Sequence, residues 1–287
     1  MTQTVETLPP LGQAVLEALA EYWYLTTNQI LDLGIARDRG HLGKVLGSLL
    51  SIAKSKDGTQ RKSKEIGELD FGTLVGKGRL PRMYYLTPKG AALLELIHPD
   101  QAPIPYPVRV TKFANDYLHR VRTVDFHIQV NAWAQAGGHE VLWWERYFDW
   151  SANAYPATRF MVGQRHIVPD LSFMVQDRSG PQRLIIAEIA NGMDTAKVTR
   201  QLKSYCKALD ENAINYHYDY GEKAVRILFV FENRRLMELV QERADNDPWV
   251  QEYLPHFFFQ SVDTMDTKTW QHGWHRPALD EGQVSLF

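Results

Sequence analysis

The chain has 287 residues, 44% hydrophobic and 23% charged, with a net charge of −2. That is enough apolar material for one large or two modest domains, and it excludes a uniformly basic nucleic-acid coat, so any such binding needs a local patch. A single cysteine, Cys206, excludes an internal disulfide framework and a multi-cysteine zinc site. The longest apolar runs, LIIA and ILFVF, are far too short to cross a bilayer. The opening MTQTVETLPP is polar and acidic, unlike a signal peptide, so a cytoplasmic location and no membrane partner are expected.

In chain order, LGQAVLEALAEYWY places Leu11, Val15, Leu16, Leu19 and Tyr22 at helical spacing. TTNQILDLGI reads as a second helix, N-capped by Thr26 or Thr27 and ending at Gly34. RGHLGKVLGSLLSIAKSK repeats Leu42, Val45, Leu46, Leu49 and Ile52 and predicts a third. Two strands joined by a glycine-rich loop follow in RKSKEIGELDFGTLVGKGRLPRMYYLT. PKGAALLELI then predicts a helix with Pro88 in its first turn. HPDQAPIPYPV, with four prolines, reads as an extended linker.

This order is that of a winged helix-turn-helix, and RMYYLTPKGAALL resembles the end of many bacterial winged-helix domains. Between Arg37 and Lys64 lie Arg37, Arg39, Lys44, Lys54, Lys56, Arg61, Lys62 and Lys64, opposed only by Asp38 and Asp57; Lys77, Arg79 and Arg82 extend the cluster onto the wing. Such a local basic footprint suits phosphates of double-stranded DNA. The bland reading is a solvated face on a protein-binding winged helix.

FANDYLHRVRTVDFHIQVNAWAQAGG predicts a long helix stopped by Gly137 and Gly138. Strands are expected at EVLWWERYF, HIVPDLSFMVQ and RLIIAEIAN, then a helix DTAKVTRQLKSYCKALDE, a strand KAVRILFVFEN, a helix RRLMELVQERA and a strand HFFFQSV. The expected fold class is α/β (α+β overall), with a central mixed sheet in the second domain. The expected domains are residues 1–97, a linker at 98–109, a second domain at 110–275 and a flexible tail at 276–287.

Within these strands Asp170 follows Pro169, and Glu188 stands in the almost wholly apolar LIIAEIA. An acid there is costly to bury without a cation or a hydrogen-bond partner. A magnesium or manganese ion shared with Asp170 would offset both charges, and Glu145 in LWWERYF could extend the ligand set. The bland reading has Asp170 capping a turn and Glu188 paired with Arg165 or Arg200. Asp170 and Glu188 resemble the two acids of the PD-(D/E)xK nuclease superfamily, and Gln201 and Tyr205 in QLKSY match the Gln-hydrophobic-x-x-Tyr signature of its RecB-type members. The layout from about residue 10 to 275 resembles bacterial replication-relaxation proteins, including MobC-type relaxase-like mobilisation proteins. These join a winged helix to a restriction-endonuclease-like domain. The resemblance implies a metal-dependent DNA nickase in plasmid or element mobilisation or replication, with catalytic residues Asp170, Glu188, Lys197, Gln201 and Tyr205. The superfamily lysine is replaced by Ala190, which leaves Lys197, four residues before Gln201, as the substitute; Lys203 is rotated away. The alternative function is a non-catalytic DNA-binding accessory or regulator on a degenerate nuclease fold.

Trp143 and Trp144 could stack on unpaired bases, though strand tryptophans are usually core. His119 and His127 read as structural rather than zinc ligands, and none of the many tyrosines is singled out by spacing as a relaxase nucleophile. The ending DEGQVSLF carries Gln283, Leu286 and Phe287 in an arrangement resembling the bacterial sliding-clamp binding pentapeptide. A tail folded onto its own core is the bland counterpart. DNA and the clamp are the expected partners, and a homodimer is left open.

Overall fold

The computed structural model describes residues 8–50, 64–74, 76–108, 110, 116–150, 155–176, 180–219, 225–265, 270–277 and 283–286. The fold is mixed α+β, and packing divides the chain into two compact units, Met1–Ile128 and Gln129–Phe287.

The first unit runs α1 (Pro10–Tyr22), β1 (Tyr24–Thr26), α2 (Thr27–Asp32), α3 (Arg39–Leu50), β2 (Ile66–Leu69), β3 (Thr73–Leu74), β4 (Gly78–Arg79), β5 (Met83–Leu86) and α4 (Pro88–Ile97). It also takes in the first turns of α5 (Tyr117–Gly137). Strand β5 lies between β1 and β2 in an antiparallel sheet, and β3 pairs with β4 in a separate small hairpin. Val15, Leu16 and Leu19 of α1 and Leu42, Leu46 and Leu49 of α3 are buried, as their spacing predicts. Thr26 caps α2 in a capping box with Gln29.

The TPKG motif has a physical reason at each position. Thr87 accepts a hydrogen bond from the Gly90 amide at 3.3 Å, and Pro88 occupies the first turn, where no amide donor is needed. A Cβ on Gly90 would lie 2.2 Å from the Glu65 carbonyl oxygen, so only glycine lets the helix approach β2 this closely.

The proline-rich stretch falls inside this unit: Ile104 is buried and its amide donates to Glu95 at 2.9 Å. Early α5 is anchored there too. Gln29 donates to the Val121 carbonyl at 3.2 Å and to Asp125 at 2.8 Å, and Arg120 lies over the Tyr24 ring. His127 is buried against the Tyr22 ring with its Nε2 3.4 Å from Glu21, a structural setting.

The second unit contains β6 (Glu140–Arg146), β7 (Phe160–Val162), β8 (Arg165–Ile167), β9 (Leu171–Gln176), β10 (Gln182–Ala190), α6 (Thr195–Asp210), α7 (Ala213–Tyr218), β11 (Arg226–Phe231), α8 (Arg234–Asp245), α9 (Pro248–Tyr253), β12 (Phe257–Ser261), β13 (Trp274–His275) and β14 (Gln283–Val284). The sheet order is β14-β13-β12-β11-β10-β9-β6. Strands β6, β9 and β10 run antiparallel, β10, β11 and β12 parallel, and β12, β13 and β14 antiparallel. On one face Val198, Leu202, Tyr205 and Cys206 of α6 and Leu236 and Val240 of α8 pack on Ile186, Ile227, Phe229 and Phe257. Each such aliphatic or aromatic burial contributes about 1.5–3 kcal/mol. On the other face Asn131 of α5 accepts a hydrogen bond from the Trp144 indole at 3.2 Å, and Trp144 stacks on Phe173.

Two expectations need correction. HIVPDLSFMVQ is not one strand: Pro169, which has no amide donor, separates β8 from β9, and β8 pairs with β7 instead. The expected flexible tail is docked where it is described. Gln283 and Val284 pair with β13, and Leu286 is fully buried with its amide bonded to the Gln271 carbonyl at 2.8 Å. An apolar side chain and a free sheet edge beside it account for that docking. Phe287 lies outside the described residues.

Candidate functional site

Register brings the two acids together. Strand β9 begins at Leu171 opposite Ala187 of β10, so Asp170, one residue before it, stands opposite Glu188 on the neighbouring strand. Both side chains face the layer made by α6. Glu188 is 3% exposed and Asp170 is 7% exposed.

Each carboxylate is held by specific donors. The Tyr205 hydroxyl donates to Glu188 Oε1 at 2.5 Å, and Gln201 Nε2 donates to Glu188 Oε2 at 3.2 Å. The Ile189 amide donates to Asp170 Oδ2 at 2.6 Å, and the Asp170 carbonyl accepts from the Tyr147 amide at 3.0 Å. Gln201 and Tyr205 lie one turn apart on α6, which is why their spacing puts both on one carboxylate. The N-cap Asp194, whose carboxylate accepts from the Lys197 amide at 2.9 Å, sets where that helix begins.

Burial, and then the neighbouring Asp170 carboxylate, push Glu188 well above the ordinary carboxylate range. The Tyr205 hydrogen bond and the charge of Lys197 act in the opposite sense, and a hydrogen bond to Asp170 favours the protonated form. Burial and Glu188 together also raise Tyr205 well above the usual phenol range.

Lys197 is exposed in the first turn of α6, yet its charge reaches Glu188. Lys203 is engaged elsewhere, 2.7 Å from Asp247. Ala190 is buried in the core beneath α6. Glu188 meets Tyr205 and Gln201, not Arg165 or Arg200, both of which are exposed. Glu145 pairs with Ser172 in register and so shares the face of Asp170, set two residues further along the strand. Burial, with Asp149 adding to it, raises Glu145 to about 7. Among the described residues no group of three or more histidine, cysteine, aspartate or glutamate side chains converges as a metal cluster, so the close acids are a pair.

The donor set is hard carboxylate oxygens on two buried neighbouring side chains. That fits a magnesium-class ion. The tryptophans proposed for base stacking are used internally: Trp143 stacks on Tyr218 at 5.8 Å and Trp144 on Phe173 at 4.3 Å. The Ser172–Tyr218 hydroxyl contact at 2.7 Å, beside Glu145, has no signal in the local sequence, because Tyr218 reaches it from a six-residue helix.

Of the basic residues in the first unit, Arg37, Arg39, Lys44, Lys64, Lys77, Arg79 and Arg82 are described and exposed. Arg79 pairs with Asp70 at 2.9 Å and Arg82 with Glu68 at 2.9 Å, so part of the wing charge is balanced. Arg39 donates to Asn28 at 2.6 Å. Lys54, Lys56, Arg61 and Lys62 lie outside the described residues. No family model matches the sequence, and neither a curated protein nor a solved structure matches it.

Proposed function

We propose that the protein binds duplex DNA through its first unit and nicks it at a magnesium- or manganese-dependent site in its second, in the mobilisation or replication of a plasmid or other mobile element. The observation that carries this reading is the convergence of Asp170 and Glu188 beneath α6, where burial and the neighbouring carboxylate raise the proton affinity of Glu188. Two acids side by side in a buried place are an arrangement that a divalent cation would stabilise.

The helical order and three-stranded sheet of the first unit, with exposed Arg37, Arg39 and Lys44 at α3, support a winged-helix reading in which α3 enters the major groove. In the second unit a helix, three antiparallel strands, a helix and a parallel strand support the restriction-endonuclease-like reading.

The ion would be held by Asp170 and Glu188 and would supply Lewis acidity and an activated water. Tyr205 and Gln201 orient Glu188, using one lone pair on each of its oxygens and leaving the others. Lys197, on the exposed rim, stabilises negative charge developing on the phosphate, the task that Ala190 cannot perform.

A second reading, a non-catalytic DNA-binding accessory or regulator, is favoured by Ala190 and by the donors already on both acids. Incubation of supercoiled DNA from the native neighbourhood with magnesium or manganese separates the two. The nickase reading expects open circles from wild type and none from Asp170→Asn or Glu188→Gln. Equal traces from all three proteins would leave the accessory reading.

A further inference from the structure

The segment leading into Asp170 is a small, separate antiparallel hairpin. Strands β7 and β8 pair Phe160 with Ile167, Met161 with His166 and Val162 with Arg165. Its inward side chains, Phe160, Val162 and Ile167, are buried in the core under α6. Its outward side carries Met161 and Val168, 48% and 39% exposed, together with His166. Arg165 is exposed at the turn.

At the base of the hairpin the Arg159 guanidinium lies 3.9 Å from the centroid of the Tyr155 ring and also contacts the His166 Nε2. Tyr155 nevertheless remains 53% exposed. Among the described residues no carboxylate pairs with Arg159 or Arg165. The acid nearest the turn, Glu211 beside Gly163, is engaged by Lys207 at 3.4 Å. Thr158, fully buried, donates to the Pro169 carbonyl at 2.7 Å and so ties the hairpin base to the residue before Asp170.

We infer that this hairpin is a binding surface for an unpaired DNA strand, which it leads toward Asp170 and Glu188. The second half of that statement rests on the nuclease reading; the first does not. Cations alone would suit a duplex backbone equally well. Here they alternate with an exposed aromatic ring and exposed apolar side chains, and that combination suits phosphates and unstacked bases together. Arg159 and Arg165 take the phosphates, and Tyr155, pre-oriented by Arg159, stacks on a base. The rigid Thr158–Pro169 tie gives the strand a fixed path to the acids.

The test uses the full chain in EDTA, with no cutting required. Fluorescence anisotropy compares a forked DNA carrying an unpaired arm with a fully paired duplex of the same sequence. Tyr155→Ala is expected to weaken fork binding about 5- to 160-fold, with duplex binding unchanged. Arg159→Gln with Arg165→Gln is expected to reduce the salt slope on the fork by about 1.4, two contacts on a single strand. Lys44→Ala, in the first unit, is expected to weaken both DNAs alike. Unchanged melting temperatures identify folded variants, and Arg165→Glu, at an exposed strand residue beside the turn, serves as the second charge variant.

Equal fork binding by wild type and all the hairpin variants overturns the inference. So does an equal loss on fork and duplex, which would make the surface a duplex contact. Self-association without DNA that the same variants abolish would assign the surface to a second copy and also overturns it. Absence of nicking in the magnesium assay would sink the nuclease reading and leave this result standing.

Discussion

At the scale of single residues, the raised proton affinity of Glu188 marks the site. Its pKa in the folded state is raised, so the folded protein holds this proton more tightly than the unfolded chain does. The contribution is fully favourable below the unfolded value near 4.5, and stability is lost as pH rises from there toward the folded value. Glu188→Gln keeps a neutral side chain and removes that loss, so its melting temperature is expected to exceed wild type at pH 8 and to match it at pH 5. A lower melting temperature at pH 8 would contradict the burial argument. Glu145 has the same sign, with its window running from the ordinary value up to about 7. Thermal melts of Glu145→Gln are accordingly expected to show a flatter pH dependence between 5 and 7. Tyr205→Phe removes a donor from a buried acid and should cost about 1–3 kcal/mol by chemical denaturation. It should also weaken magnesium binding, because that hydroxyl favours the ionised Glu188.

At the scale of elements, the strongly periodic segments are legible in the sequence and the short ones are not. Helices α1 and α6 follow from apolar spacing, and β10 and β11 from unbroken apolar runs, because both patterns are set by burial along many consecutive residues. The acid pair is legible for the same reason: one charged residue interrupts LIIAEIA, and the Gln201–Tyr205 spacing points at it. The hairpin β7–β8, helix α7 and strands β13 and β14 have no comparable local signal. Trp274 sits in a two-residue strand because Trp270 and Trp274 are both buried, a tertiary cause. The covering of Ala190 by the core is equally invisible without the register of β10 against β11. The docked end segment gives an element-scale prediction. Leu286→Ala should destabilise the protein by about 2–5 kcal/mol, as expected for a buried leucine. If the Gln283–Leu286 segment binds a sliding clamp, Leu286 must leave this place, so a free peptide of that sequence should bind the clamp more tightly than the folded protein does. Equal affinities would contradict the docking.

At the scale of the whole molecule, a chain of net charge −2 is proposed to hold a polyanion. That is physically consistent only if cations are concentrated locally, as they are among the exposed Arg37, Arg39, Lys44 and Lys64 and again at Arg159 and Arg165. DNA affinity should therefore fall steeply with salt, and Arg39→Ala should lower that slope, whereas Lys203→Ala, whose ammonium is held by Asp247, should not. The proposed cutting chemistry depends on one further property, that the buried acids exchange their proton for a divalent cation. Isothermal titration with magnesium at pH 8, repeated in buffers of different ionisation enthalpy, measures this directly. The account expects saturable binding to wild type with proton release, lost in Asp170→Asn and Glu188→Gln proteins that remain folded. Titrations in which wild type and both variants give the same heats would contradict it.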